Sequence, residues 1–160
     1  MKQLLDRLSR ARTGVYEGRA FAQSDQQHQL MLRERQERLQ ELVARLGQET
    51  VASVVMLVDD HGQAVAHWYR HEEIDVVSIA ALTAGSVQAR QLLSAHVGAR
   101  SQQSSVVHEY DGQIVALTRV DEHTMLLVVL EDLSRLGWAR VALKRASVEL
   151  AQYTGDIARP

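Results

Sequence analysis

The chain has no cysteine, and its single proline is the last of 160 residues. Without thiols there is no disulfide framework and no thiolate zinc site, which fits a reducing compartment. Aromatic residues make up only 4% of the chain, so its core must be built from aliphatic side chains. Lysine is nearly missing as well: it occurs at Lys2 and Lys144, and the remaining basic residues are arginine, which reads as genomic composition bias. A net charge of −2 gives no electrostatic footprint for nucleic acid. No apolar run approaches the roughly 18 residues of a membrane span, and the N-terminus has no signal-type apolar stretch. The expectation is one soluble, cytoplasmic domain with a single substantial core.

The sequence does contain two short continuous apolar runs, Val51–Val58 and Thr124–Leu130, each closed by a pair of acids. Such runs fit strands buried on both faces, and the two are expected side by side at the centre of one sheet. Around them the periodicities give the remaining elements. Leu4, Leu8, Ala11 and Val15 form a helical stripe over residues 2–22, Ser24–Gln29 reads as a polar linker, and a charged helix runs from about Leu30 to Leu46. In that helix Leu39, Leu42, Val43 and Leu46 form the apolar face, and Gly47 reads as its C-terminal stop. Asp59-Asp60-His61-Gly62 predicts a tight turn into a second strand, Gln63–Tyr69. Asp75 reads as the N-cap of a helix from Val76 to about Val97, with Ile74 and Ile79 as a hydrophobic staple. Asp111-Gly112 predicts a hairpin between Ser104–Tyr110 and Gln113–Val120. A last helix follows Ser134, its candidate cap, with Ala139, Ala142, Leu143, Ala146, Leu150 and Tyr153 on one face.

The helix Val76–Val97 has two apolar faces instead of one. Ile79, Leu82, Ala89 and Leu93 fall on one side, and Val77, Ala80, Ala84 and Val87, with Gln91, fall nearly opposite. The larger residues are expected to fill the space above the sheet. The smaller ones then need a cover from elsewhere.

Catalytic chemistry is thin. Neither lysine is followed by Ser or Thr, so there is no phosphate-binding loop of the G-x-x-x-x-G-K-[ST] type, and neither G-x-G-x-x-G nor G-x-S-x-G occurs. His71-Glu72 and His108-Glu109 begin like a zinc-protease motif but lack its second histidine. The acids Asp59, Asp60, Asp121, Glu122, Glu131 and Asp132 gather at strand ends, where solvated turn carboxylates are commoner than metal ligands. Arg70, Arg100 and Arg135 sit in loops, where an arginine can be presented to phosphate charge, but position alone does not single them out. No metal, cofactor or catalytic residue is assigned, and the chain is not expected to be an enzyme.

The element order and several strings resemble the Roadblock family. These are Met56-Leu57-Val58-Asp59-Asp60-His61-Gly62 with the returning Gln63-Ala64-Val65-Ala66, then Met125–Leu130 followed by Leu136-Gly137. Lys144-Arg145-Ala146-Ser147 is similar to the version in bacterial MglB-type members. The resemblance covers roughly Leu30–Tyr153. It divides the chain into an N-terminal helical extension and linker (1–29), a Roadblock-like domain (30–154) and a tail (155–160). It implies an α+β fold, a five-stranded antiparallel sheet in order 2-1-5-4-3 with helices on both faces. It also implies a homodimer through third strands and middle helices, placing Val77, Ala80, Ala84, Val87 and Gln91 with Ser105, Val107 and Glu109 at the interface. Roadblock proteins are non-catalytic modules that bind Ras-like small GTPases, and the MglB type serves as a GTPase-activating partner in bacterial polarity or motility. By the same resemblance the GTPase would dock at Thr83, Gln88 and Arg90.

A ligand-sensing domain of the GAF or PAS kind is the competing class, since its strand and helix order is partly similar. Such a sensor needs a pocket lined by polar and aromatic groups. Two Trp, four Tyr and one Phe give little material for one. Residues 1–27 lie outside the resemblance. Their basic residues allow membrane contact by an amphipathic helix, though an extension docked on a partner is the plainer reading.

Overall fold

The computed structural model describes residues 2–71, 74–98 and 105–155, with side chains from residue 25 onward. Two compact units are distinguished, residues 1–35 and residues 36–160. Helix α1 is Lys2–Thr50, followed by β1 (Val54–Asp59), β2 (Ala64–Tyr69), α2 (Val76–His96), β3 (Ser105–Tyr110), β4 (Gln113–Arg119), β5 (Thr124–Leu130), a short 3₁₀ turn at Leu133–Arg135, and α3 (Leu136–Thr154). No helix among the described residues is long and apolar enough to cross a membrane. The expected loop Ala99–Gln103, with Arg100, and the tail beyond Gly155 lie outside the described residues.

The five strands form one antiparallel sheet in the order β2-β1-β5-β4-β3. β1 and β5 are central and paired from Val54↔Val129 to Asp59↔Thr124, so the two apolar runs lie side by side as expected. Alternation then splits their side chains between two cores. Val55, Leu57, Leu126, Val128 and Leu130 pack with Leu39, Leu42, Val43 and Leu46 of α1 and with Ala139, Ala142, Leu143 and Leu150 of α3. Val54, Met56, Val58, Met125 and Leu127 face the other way, against Ala80 and Ala84 of α2. Ion pairs Arg45–Glu149 and Arg145–Glu49 link α1 to α3 along their exposed margin. Exposed pairs of this kind contribute at most about 1 kcal/mol each.

Local chemistry explains most boundaries. Asp111 (φ +40) and Gly112 (φ +86) both take positive φ, as a two-residue type I′ hairpin requires. In the β1–β2 turn Asp59 Oδ1 accepts from the amides of His61 (3.0 Å) and Gln63 (2.7 Å). Gly62 there has φ +81 and sits so close to α2 that a Cβ would lie 3.0 Å from the Ala81 Cα. Asp75 caps α2 by accepting from the Ser78 amide at 3.0 Å, and Ile74 and Ile79 both pack against the α2-side core.

Three local expectations change. Ser24–Gln29 is helical and not a linker: no Gly or Pro lies between Arg19 and Leu46, and glutamine, alanine and arginine favour helix. Gly47 does not stop α1. The helix runs to Thr50 and closes with Ala52 N–H bonded to the Gly47 carbonyl (3.1 Å) and Val51 N–H to the Gln48 carbonyl (3.3 Å). That is a Schellman cap whose left-handed position is Val51, φ +54, so β1 begins at Val54 and not at Val51. Ser134 does not cap the last helix either. Asp132 accepts from the Ser134 amide and caps the 3₁₀ turn, and α3 follows without a side-chain cap.

Candidate functional site

The most distinctive surface is the outer face of α2. The faces of this helix are largely exchanged relative to the sequence expectation, although Ile79 lies on the sheet side and Val77 on the outer side as expected. Ala80 (0% exposed), Ala84 and Thr83 are buried, and Ile79 and Val87 pack half-buried on the sheet. Leu82 (73% exposed) and Leu93 (64%) point to solvent. Size accounts for the reversal. The backbone contact between Gly62 and Ala81 holds α2 close to the sheet, and the two fully enclosed apolar positions beneath it, Ala80 and Ala84, carry only methyl groups. Ala80, Ala84 and Val87 are therefore part of the chain's own core and not a surface for a second copy. Thr83 turns inward as well, its hydroxyl donating to the Ile79 carbonyl at 2.7 Å, so it is not placed to meet a GTPase.

The outer face now carries Val77 (77% exposed), Leu82, Gly85, Ala89, Leu92 and Leu93. Arg90 is the only Asp, Glu, Lys or Arg between Val76 and His96. An exposed apolar face of this kind is a candidate surface for meeting another macromolecule. Gln91 is exposed beside it. Gln88 Nε2 donates to the Asp60 carbonyl at 3.0 Å, tying α2 to the β1–β2 turn. Arg90 is half-buried, its Nη1 3.2 Å from His108 Nε2 on β3.

β3 is the edge strand on this side, and the two-residue hairpin fixes which of its groups are free. Tyr110 and Gln113 flank the turn as a bonded pair, so Val106, His108 and Tyr110 bond toward β4. Ser105, Val107 and Glu109 therefore present their main-chain groups outward. Among the described residues no side chain covers them. Ser105 and Glu109 are exposed, whereas the Val107 side chain packs into the α1–α3 core and leaves only its main chain at the edge.

The strand-end acids resolve into a clasp. Asp60 lies between two histidines, with His123 Nδ1 hydrogen-bonded to its Oδ2 at 2.9 Å and His61 Nδ1 2.8 Å from its Oδ1. The Asp60 amide also donates to the His123 carbonyl at 2.8 Å, so the β1–β2 and β4–β5 turns are joined twice. The hydrogen bond from His123, and then the charge of His61, hold the Asp60 carboxyl below its ordinary value. The same bond holds the His123 imidazole above its own. Asp59, Asp60 and His61 could converge on a cation, yet both carboxylates already serve the turns. Of the loop arginines, Arg135 pairs with Asp132 and Arg70 is exposed.

Sequence reasoning did not find the Asp60–His123 bond or the seating of Trp68 on Gly47. Both join residues distant in the chain, and only the turn signal at Asp59–Gly62 pointed toward either.

Comparison with known proteins fits this architecture. The Roadblock/LC7 domain model matches residues 38–130. The structure of Myxococcus xanthus MglB aligns at TM-score 0.68 and 31% identity, covering 72% of this chain and 93% of that one. The gliding protein MglB of Thermus thermophilus aligns at TM-score 0.66 and 30% identity, covering 74% and 90%. A Roadblock/LC7 domain from Streptomyces avermitilis, at 16% identity and TM-score 0.62 over 71% and 95%, shares the fold. Sequence comparison with curated proteins finds no match. With more than half its length matched by the domain model and an MglB at 31% identity over 72% of the chain, it belongs to the Roadblock/LC7 family.

Proposed function

We propose that the chain is a non-catalytic regulator or scaffold for a Ras-like small GTPase, acting in the cytoplasm as a homodimer. The observation that carries this reading is the uncovered apolar face of α2 beside an open β3 edge, in a chain similar to MglB. Two copies joined through β3 would cover both features at once. An MglB has been solved in a tetrameric arrangement, at 25% identity to this chain, which supports self-association. Residues 30–154 form the Roadblock-like domain in this reading, with 1–29 as its extension. Gln88 and Arg90, on the two polar margins of α2, are the side chains offered to the GTPase. The competing sensor reading loses its premise, because the layer between α2 and the sheet is filled by Ala80, Ala84, Leu117, Met125 and Leu127.

The test is binding of the chain to Ras-like GTPases of its own organism, loaded with GDP or with a non-hydrolysable GTP analogue. Nucleotide-dependent binding supports the proposal, and single-turnover GTP hydrolysis with and without the chain separates an activator from a scaffold. Failure to bind either loaded form, or saturable GTP binding by the chain itself below about 10 μM, overturns it.

A further inference from the structure

The two edges of the sheet are treated differently. Among the described residues nothing covers the β3 edge, but at β2 both main-chain groups of His67 are taken by one side chain of α1. Gln40 Nε2 donates to the His67 carbonyl at 2.6 Å, and the His67 amide donates to Gln40 Oε1 at 3.3 Å. One turn earlier, Gln36 Nε2 donates to the Val65 carbonyl at 2.5 Å. A carboxamide offers the same donor and acceptor as a peptide unit, so Gln40 stands where a residue of a neighbouring strand would stand. The spacing suits a ladder. Four helical residues rise about 6.0 Å and two strand residues about 6.7 Å, so glutamines at 36 and 40 keep step with positions 65 and 67. The next residue in step is Ala44, which has no polar group to offer, and the guard ends there.

We infer that Gln36 and Gln40 are an edge guard that closes β2 to the β3 edge of a second copy and so confines strand addition to β3. Each copy would otherwise present two different edges. Pairing β3 of one copy with β2 of the next leaves a free edge at both ends and propagates, whereas β3 with β3 is self-complementary and closes at two. This rests on the self-association proposed above for its geometry, but its consequence can be measured independently.

The test uses the full-length chain carrying Gln36→Ala and Gln40→Ala. Light scattering across a concentration series gives its mass, and amide exchange reports on β2. The guard predicts that the His67 amide exchanges about fivefold faster, as expected for loss of a bond of about 1 kcal/mol. It also predicts that the mass grows with concentration beyond that of the wild type. Gln40→Met is the companion should the double variant fail to fold, since it keeps the length and removes both the donor and the acceptor facing His67. Faster β2 exchange with unchanged mass overturns the inference, and so does unchanged exchange. If the wild type stays monomeric while the unguarded chain assembles, the dimer reading falls and the guard stands. If the wild type dimerises and the unguarded chain stops at two, the guard falls alone.

Discussion

The indole of Trp68 on β2 occupies the space that any side chain at residue 47 of α1 would need. Gly47 is therefore a packing residue: α1 lies against β2 there because nothing projects from the helix. Alanine would gain about 1 kcal/mol of helix propensity and still lose overall, because its Cβ would fall inside the ring. Gly47→Ala is expected to lower stability by about 1–3 kcal/mol in urea unfolding, with a shifted tryptophan emission as Trp68 moves. A stabilised variant would show that α1 and β2 separate freely at this point.

Val51 is the opposite case, a β-branched residue in a left-handed position that normally holds glycine. The strain of about 1–2 kcal/mol outweighs the extra chain entropy of glycine, about 0.5–1 kcal/mol. Val51→Gly should raise stability by roughly 1 kcal/mol, read as a higher thermal midpoint. A lower midpoint would mean that the half-exposed valine contributes more by packing than it loses by strain.

The reversed faces of α2 give paired substitutions with opposite readouts. Ala84→Arg places a charged side chain between α2 and the sheet and should unfold the protein or cost more than about 3 kcal/mol. Leu82→Arg changes a side chain already in solvent, so the thermal midpoint should hardly move while self-association weakens. Light scattering and thermal melts on both variants decide this. A folded Ala84→Arg monomer together with an unfolded Leu82→Arg would put the faces the other way round.

The Asp60–His123 clasp should make stability depend on pH. His123 is held above its ordinary 6.5, so its contribution is fully present below that value and is lost as pH rises through the folded pKa. Asp60 is held below 3.8, so its contribution is present above 3.8 and is lost as pH falls through the folded pKa. The clasp is strongest between about pH 4 and 6.5 and weakens as pH rises above that window. His123→Gln should flatten the fall in thermal midpoint as pH rises above 6.5. An unchanged slope would assign the pH dependence to other groups.

The architecture was legible because it depends on signals written locally. Thr124–Leu130 and most of Val51–Val58 are apolar without helical spacing, which admits a strand buried on both faces, and Asp111-Gly112 supplies the two positive φ values of a hairpin. The apolar stripe Leu39, Leu42, Val43, Leu46 marks the face by which α1 meets the sheet, and all four are buried. Those features name the layers and, with the family resemblance, the strand order.

The structure decided what depends on distance between elements. Two apolar faces on α2 are equivalent to any periodicity. The separation from the sheet, set by Gly62 against Ala81, selects Ala80 and Ala84 for the inside and leaves Leu82 and Leu93 outside. Gly47 reads as a helix stop until the Trp68 ring is seen against it, and nothing in the sequence marks Gln36 and Gln40 until β2 is seen beside them. A side chain's hydrogen-bonding groups and volume are properties of the sequence. Which surface they meet is fixed only when segments remote in the chain come within a few ångströms, and at that range packing and edge pairing choose among faces that hydrophobicity cannot tell apart.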